Sequence, residues 1–180
     1  RLSSDLAILS GSVSFIAIWY YRIKMIQEAA KDGKKVLETV TNLPRKMRFK
    51  SRTGKAGLDV VDDPREAATI LMLEVAQARG TLTSNQEATI RGEIMQHFDF
   101  TEADASELMT QAAWLSRNGG ASHVVIARMA DFSKQVPGMG TKELIDLDEM
   151  LVTVSEAAGV PTPSQLDLLS QYRQKAGIKL

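Results

Sequence analysis

The chain has 180 residues, with 22 Lys/Arg balanced by 22 Asp/Glu, and no cysteine, so disulfides, thiolate metal sites and cysteine nucleophiles are excluded. The zero net charge hides two unlike halves: residues 1–58 carry twelve basic against four acidic side chains, and residues 59–180 hold the acidic excess. Such an asymmetry separates a segment that meets an anionic surface from a domain that stays away from one.

The first element is the apolar stretch "LAILSGSVSFIAIWYYR". As a helix, Leu6 to Tyr21 would span about 24 Å at ~1.5 Å per residue, short of a hydrocarbon layer of ~30 Å. Ile23, Met25 and Ile26 extend its apolar face, while Arg22 and Lys24 are long enough to snorkel towards headgroups. Trp19, Tyr20 and Tyr21 stand where an interfacial aromatic belt belongs. The strongly apolar residues between Leu6 and Ile18 favour insertion by only ~2–4 kcal/mol, from which the serines and Gly11 subtract. Ser10 and Ser14 form a small-xxx-small pair with Gly11 beside them, a face that lets a second helix approach closely. Residues 1–26 are therefore expected to be a single transmembrane helix that needs a protein partner. A cleaved signal peptide fits less well, because aromatic and then basic residues follow the apolar run.

Residues 27–61 are expected to form a juxtamembrane helix, weakened at Gly33 and stopped before Pro44, followed by a polybasic linker. Arg45, Lys46, Arg48, Lys50, Arg52 and Lys55 meet no acidic residue. Near anionic lipid each is worth ~1 kcal/mol, enough to hold a linker at a surface without a fold. The positive-inside rule puts the following domain in the cytoplasm. Nucleic acid is not an expected partner, since Phe49 is the interleaved aromatic for stacking and the neighbouring domain is acidic.

From Asp62 onward the period is helical and the punctuation clear. "DPRE" at 63–66 places a capping Asp, a first-turn Pro and Glu66, predicting a helix from Pro64 to Arg79 that stops at Gly80. Thr83 with Gln86 opens a second helix, with Ile90, Ile94, Met95 and Phe98 on one apolar face. Thr101 with Asp104 opens a third, ending at Asn118-Gly119-Gly120, and a fourth covers Ser122 to Gln135. Thr141 is expected to cap a fifth ending at Gly159. Thr162-Pro163 with Gln165 starts a sixth that runs to Ala176. No alternating strand pattern is present, so residues 62–180 are expected to be an all-α domain of six helices with a core of its own.

"GTLTSNQ" (80–86) and "GVPTPSQ" (159–165) share Gly-x-x-Thr-x-x-Gln, each ending one helix and capping the next, which predicts two similar helical hairpins. These junctions resemble those of the TerB-like family, named for bacterial tellurite resistance, in which an Asp-Gly-x-x-Ser/Thr-x-x-Glu turn joins the helices in each half. The resemblance covers about residues 62–178 and implies a TerB-like bundle of two helical-hairpin halves. It also implies divalent-cation binding through the acidic residues of the turns. In this chain Arg79 and Gln86 replace those acids at the first turn, and Ala158 and Gln165 replace them at the second. A hard cation prefers anionic oxygens, so the expectation is that the turns keep their capping role and lose the cation.

Few other residues suggest chemistry. His97 and His123 lack acidic ligands at metal spacing and read as surface or capping histidines. "GMGTK" (138–142) lacks the remainder of a phosphate loop and reads as a turn. "DLDE" (146–149) reads as a solvated helix face, and Trp114, Met109, Met129 and Met150 read as core. The expected function is a non-enzymatic adaptor or accessory subunit, without cofactor or small-molecule substrate. Its single pass would cross a bacterial inner membrane, packed against an integral membrane complex with anionic lipid at its linker. The alternative is a stress-response protein that senses a divalent cation.

Overall fold

The computed structural model of the chain describes residues 57–179. The expected transmembrane helix, juxtamembrane helix and basic run, up to Lys55, lie outside the described residues. Among the described residues no helix is long and apolar enough to cross a membrane. They form a 3₁₀ turn, Gly57–Val60, and six α-helices, without strands: α1 (Pro64–Gln77), α2 (Ser84–Phe98), α3 (Glu102–Arg117), α4 (Ser122–Gln135), α5 (Thr141–Glu156) and α6 (Pro163–Ala176). The all-α expectation therefore holds for this part of the chain.

The helix α1 has no solvent face. Every residue from Pro64 to Ala76 is buried, and α1 packs against each of the other five helices. A helix enclosed on all sides must be short of polar residues, and the run "AATILML" supplies that condition. Ala67, Ala68 and Ala76 let neighbouring helices approach, while Ile70, Leu71, Met72 and Leu73 fill the space between them. The surrounding helices are amphipathic and turn one stripe inward: Ile90, Ile94 and Phe98 from α2; Ala105, Leu108, Ala112 and Leu115 from α3; Val125, Ile126 and Met129 from α4; Leu144, Leu147 and Leu151 from α5; Leu168, Leu169 and Tyr172 from α6.

Polar groups on an enclosed helix need partners, because an unpaired buried charge is far costlier than a lost apolar contact. Asp63, the N-cap, accepts from the Arg65 backbone N–H at 2.8 Å. Its carboxylate also receives the Arg65 guanidinium through Nε (3.1 Å) and Nη2 (2.8 Å), and the guanidinium lies 5.0 Å from the centre of the Phe100 ring. Gln111 Nε2 donates to Glu66 at 3.1 Å, and the Ser116 hydroxyl donates to Glu74. Thus α3 supplies the polar partners for both carboxylates on α1.

Both helical hairpins expected from the repeat are formed, α1 with α2 and α5 with α6. The second is fastened by Tyr172, whose buried hydroxyl donates to the Leu144 carbonyl at 2.8 Å, and by Arg173, which donates to Asp148 through Nε (2.8 Å) and Nη2 (3.0 Å). At Gly119 an added Cβ would fall 2.9 Å from Val125 Cγ2 and 3.1 Å from Leu58 Cδ1, so this glycine lets the 3₁₀ turn close onto the α3–α4 loop. Boundaries differ from expectation at three places: α1 ends at Gln77 rather than Arg79, α5 ends at Glu156 rather than Gly159, and the start of α5 is shifted as well. The N-cap of α5 is Gly140, whose N–H donates to the Glu143 carboxylate at 2.9 Å. Thr141 is the first residue of the helix, and the side-chain bond at this end is the one that the Glu143 carboxylate accepts from the Gly140 N–H.

Burial first, and Asp148 second, hold the Tyr172 phenol well above its ordinary value of 10.0. The unfolded chain therefore releases this proton first, so the stabilisation from Tyr172 is complete below about pH 10 and declines as pH rises further. We expect Tyr172→Phe to lower the unfolding free energy by about 1–2 kcal/mol at neutral pH. In denaturant titrations the difference should shrink towards about pH 11.

Candidate functional site

The two repeated turns meet at the C-terminal end of α1, and glutamine explains how. At each turn a threonine and a glutamine form a capping box. The Gln86 N–H donates to Thr83 Oγ1 (3.2 Å) and the Thr83 N–H to Gln86 Oε1 (3.0 Å). The Gln165 N–H donates to Thr162 Oγ1 (3.3 Å) and the Thr162 N–H to Gln165 Oε1 (3.0 Å). In both cases the amide oxygen is used by the cap and the amide nitrogen remains. Gln86 Nε2 donates to the Ala76 carbonyl and Gln165 Nε2 to the Val75 carbonyl, each at 3.0 Å.

The last carbonyls of a helix lack intrahelical partners, and here the backbone leaves one of them unserved. The Arg79 N–H turns to Ala76 O at 3.4 Å instead of to Val75 O, four residues before it. The fully buried Gln165 side chain supplies Val75 with its donor. A carboxylate could fill the cap but could not donate, and its charge would face the negative end of the helix dipole.

Arg79 sits between the turns. Its Nη1 donates to the Val160 carbonyl at 2.6 Å, and Nη2 lies 3.7 Å from where a Cβ on Gly159 would be. The first turn thus reaches across to the second through a guanidinium, a fixed positive charge that would repel a metal cation. Of the four turn residues singled out in the sequence, Arg79, Gln86 and Gln165 are brought together at this end of α1. Ala158 is half-buried just after the C-cap of α5 and offers no polar side chain. Ser10, Gly11, Ser14, Trp19, Tyr20, Tyr21, Arg22, Lys24 and the six basic linker residues lie outside the described residues.

A second feature was missed in the sequence. On the outer side of α3, Val60, Ser106, Glu107, Thr110, Gln111, Trp114 and Leu115 line a groove of about 490 Å³, within the ~300–1,000 Å³ usual for ligand pockets. Trp114, expected in the core, is 50% exposed and forms part of this groove. The signal was present in the helical period. The buried stripe of α3 runs 105, 108, 112, 115, and position 114 is ~200° round from 112 at ~100° per residue.

The methionines Met109, Met129 and Met150 are buried in the core as expected. His97 lies near the end of α2, 3.1 Å from Glu93, and His123 is exposed at the start of α4. Among the described residues no group of three or more His, Asp or Glu is arranged to hold a metal ion. The "DLDE" residues diverge: Asp148 is buried against Arg173, Glu149 is exposed, and Asp146 is partly buried with Oδ2 unbonded. Only Glu149 fits the solvated face that was expected.

Two predictions follow from this geometry. Gln86→Glu and Gln165→Glu keep the capping oxygen and remove the donor, so each should lower the unfolding free energy by about 2 kcal/mol in denaturant titrations. Burial foremost, then the charge of Glu149, pushes the Asp146 carboxyl above its usual 3.8. A raised carboxyl favours the folded state below the ordinary value and loses that contribution as pH rises through its folded one. Asp146→Asn should accordingly raise the thermal midpoint at pH 7 and leave it nearly unchanged at about pH 3. No protein-family model matches the chain, and no curated protein or solved structure matches it either.

Proposed function

We propose that the chain is a non-enzymatic, membrane-anchored adaptor or accessory subunit, whose first helix packs against an integral membrane complex of a respiratory or transport type and whose TerB-like bundle is presented in the cytoplasm. The observation that carries this reading is the order of three features: an apolar stretch too weak to insert comfortably by itself, a cationic linker, and a helical bundle with a buried core. Ser10, Gly11 and Ser14 supply a close-packing face for a partner helix. Trp19, Tyr20, Tyr21, Arg22 and Lys24 supply interfacial anchors. Arg45 to Lys55 supply attraction to anionic lipid on the cytoplasmic side, and a bacterial inner membrane is the setting that the TerB-like resemblance suggests.

The interior of the bundle supports an adaptor in preference to an enzyme. Its buried charges are spent on structure: Asp63 with Arg65 closes the N-terminus of α1, while Glu74 with Ser116 and Asp148 with Arg173 join one helix to another. The glutamine-for-carboxylate exchange and the Arg79 charge weigh in the same direction against the cation-sensing alternative.

The test is fractionation followed by capture. Washing membranes at alkaline pH should leave the full chain in the pellet, and release into the supernatant would overturn the anchor. Capture through the C-terminus in mild detergent should recover a defined integral membrane partner. Ser10→Leu with Ser14→Leu should lose that partner while keeping the chain in the membrane, because a widened face blocks close helix approach without lowering hydrophobicity.

A further inference from the structure

Asparagine followed by glycine occurs once in the chain, at Asn118-Gly119, whereas Asn42 and Asn85 precede Leu43 and Gln86. The pair has a chemistry of its own. A glycine nitrogen has no Cβ beside it to shield it, so once deprotonated it can attack the carboxamide carbon of the residue before it. Asn118 is the exposed C-cap of α3. The glycine that follows cannot be exchanged for a bulkier residue, because Val125 and Leu58 leave no room for a Cβ at 119. Close packing therefore imposes the residue that makes Asn118 reactive.

The folded turn holds the reacting groups apart. The Gly119 N–H donates to the Ser116 carbonyl at 3.1 Å, which engages the attacking nitrogen. Asn118 Nδ2 donates to the Trp114 carbonyl at 2.7 Å and the Asn118 N–H donates to the same oxygen at 3.2 Å, so the carboxamide is folded back along α3. The backbone at Asn118 has a ψ of 1°, whereas a five-membered ring needs Cβ and the next nitrogen nearly eclipsed, about a third of a turn away in ψ. Attack thus requires the turn to open, breaking the Ser116 bond and moving Gly119 away from Leu58 and Val125.

We infer that Asn118 is a site of spontaneous deamidation, clocked by the opening of the α3–α4 turn, and that its conversion loosens the end of α3. When the turn opens, the Gly119 nitrogen gives its proton to water or hydroxide and bonds to Asn118 Cγ. The Cγ–Nδ2 bond breaks and ammonia leaves with a proton taken from water, giving a succinimide. Water then opens the ring: addition at Cγ yields aspartate, and addition at the main-chain carbonyl yields isoaspartate, with the chain rerouted through the side chain. Either product lacks the amide donor to Trp114 and puts a negative charge at the C-terminal end of α3, where the helix dipole opposes it. Isoaspartate also inserts a methylene just before the close-packed Gly119. This chemistry goes beyond the membrane reading and does not depend on it.

The full chain, purified in mild detergent, is incubated at neutral pH with and without urea and followed by peptide mass mapping. Asn118 should exchange NH₂ for OH while Asn85 stays intact in the folded chain, and the folded chain should convert at least about tenfold more slowly than the unfolded one. Leu58→Ala removes one wall beside Gly119 and should speed conversion in the folded chain several-fold without changing the rate in urea. No conversion at Asn118 in the folded chain would overturn the inference. So would equal folded and unfolded rates, or a Leu58→Ala rate matching the parent's. A second measurement needs no packing variant. Asn118→Asp makes one product directly and should lower the thermal midpoint by a few degrees; an unchanged midpoint would overturn the loosening.

Discussion

A helix without a polar face can exist in water only at the centre of something else, and α1 is such a helix. Enclosing it removes solvent from the polar side chains between Arg65 and Glu74 and from the carbonyls of Val75 and Ala76, so each must be supplied with a partner from within the molecule. At the N-terminus a carboxylate and a guanidinium two residues apart satisfy each other under an aromatic ring. Along its length Gln111 and Ser116 of α3 serve the carboxylates at 66 and 74. At the C-terminus two glutamines from different parts of the chain serve adjacent carbonyls. The positions of α2, α3 and α6 follow largely from this requirement, because each must deliver a donor to a particular atom of α1.

That requirement also explains the residue type at the two turns. A carboxamide accepts on one atom and donates on the other, so one side chain can close the cap of its own helix and terminate another helix. A carboxylate at this position could do only the first. In this chain the turns are therefore joints between helices, with Arg79 reaching from one turn to the other.

Local chemistry made most of the fold legible. Asp63 before Pro64, Thr83 with Gln86, Thr101 with Asp104, and Thr162 with Gln165 all act within four residues, and the structure uses each as a cap. What was hidden acts over longer range. The sequence shows that Gln165 can cap α6, but its second bond is to a residue 90 positions away, and no periodicity encodes that. Thr141 misled because a hydroxyl and a glycine are both acceptable caps, and Glu143 settled the matter by reaching Gly140. Trp114 was misplaced because aromatic residues are usually inside; the stripe 105, 108, 112, 115 was the better guide. Asp146 and Asp148 are near neighbours in sequence, yet an Arg173 opposite only one of them gives them different fates.

The pairing of Val75 with Gln165 also bears on how the protein is made. The central helix leaves the ribosome first among the six, while the amide that finishes its end is 90 residues downstream. At ~5–20 residues per second that is a delay of roughly 5–20 s. Throughout it the stretch from Ile70 to Leu73 has no complete wrapping, which makes the nascent chain a natural client for chaperones until its last helix emerges.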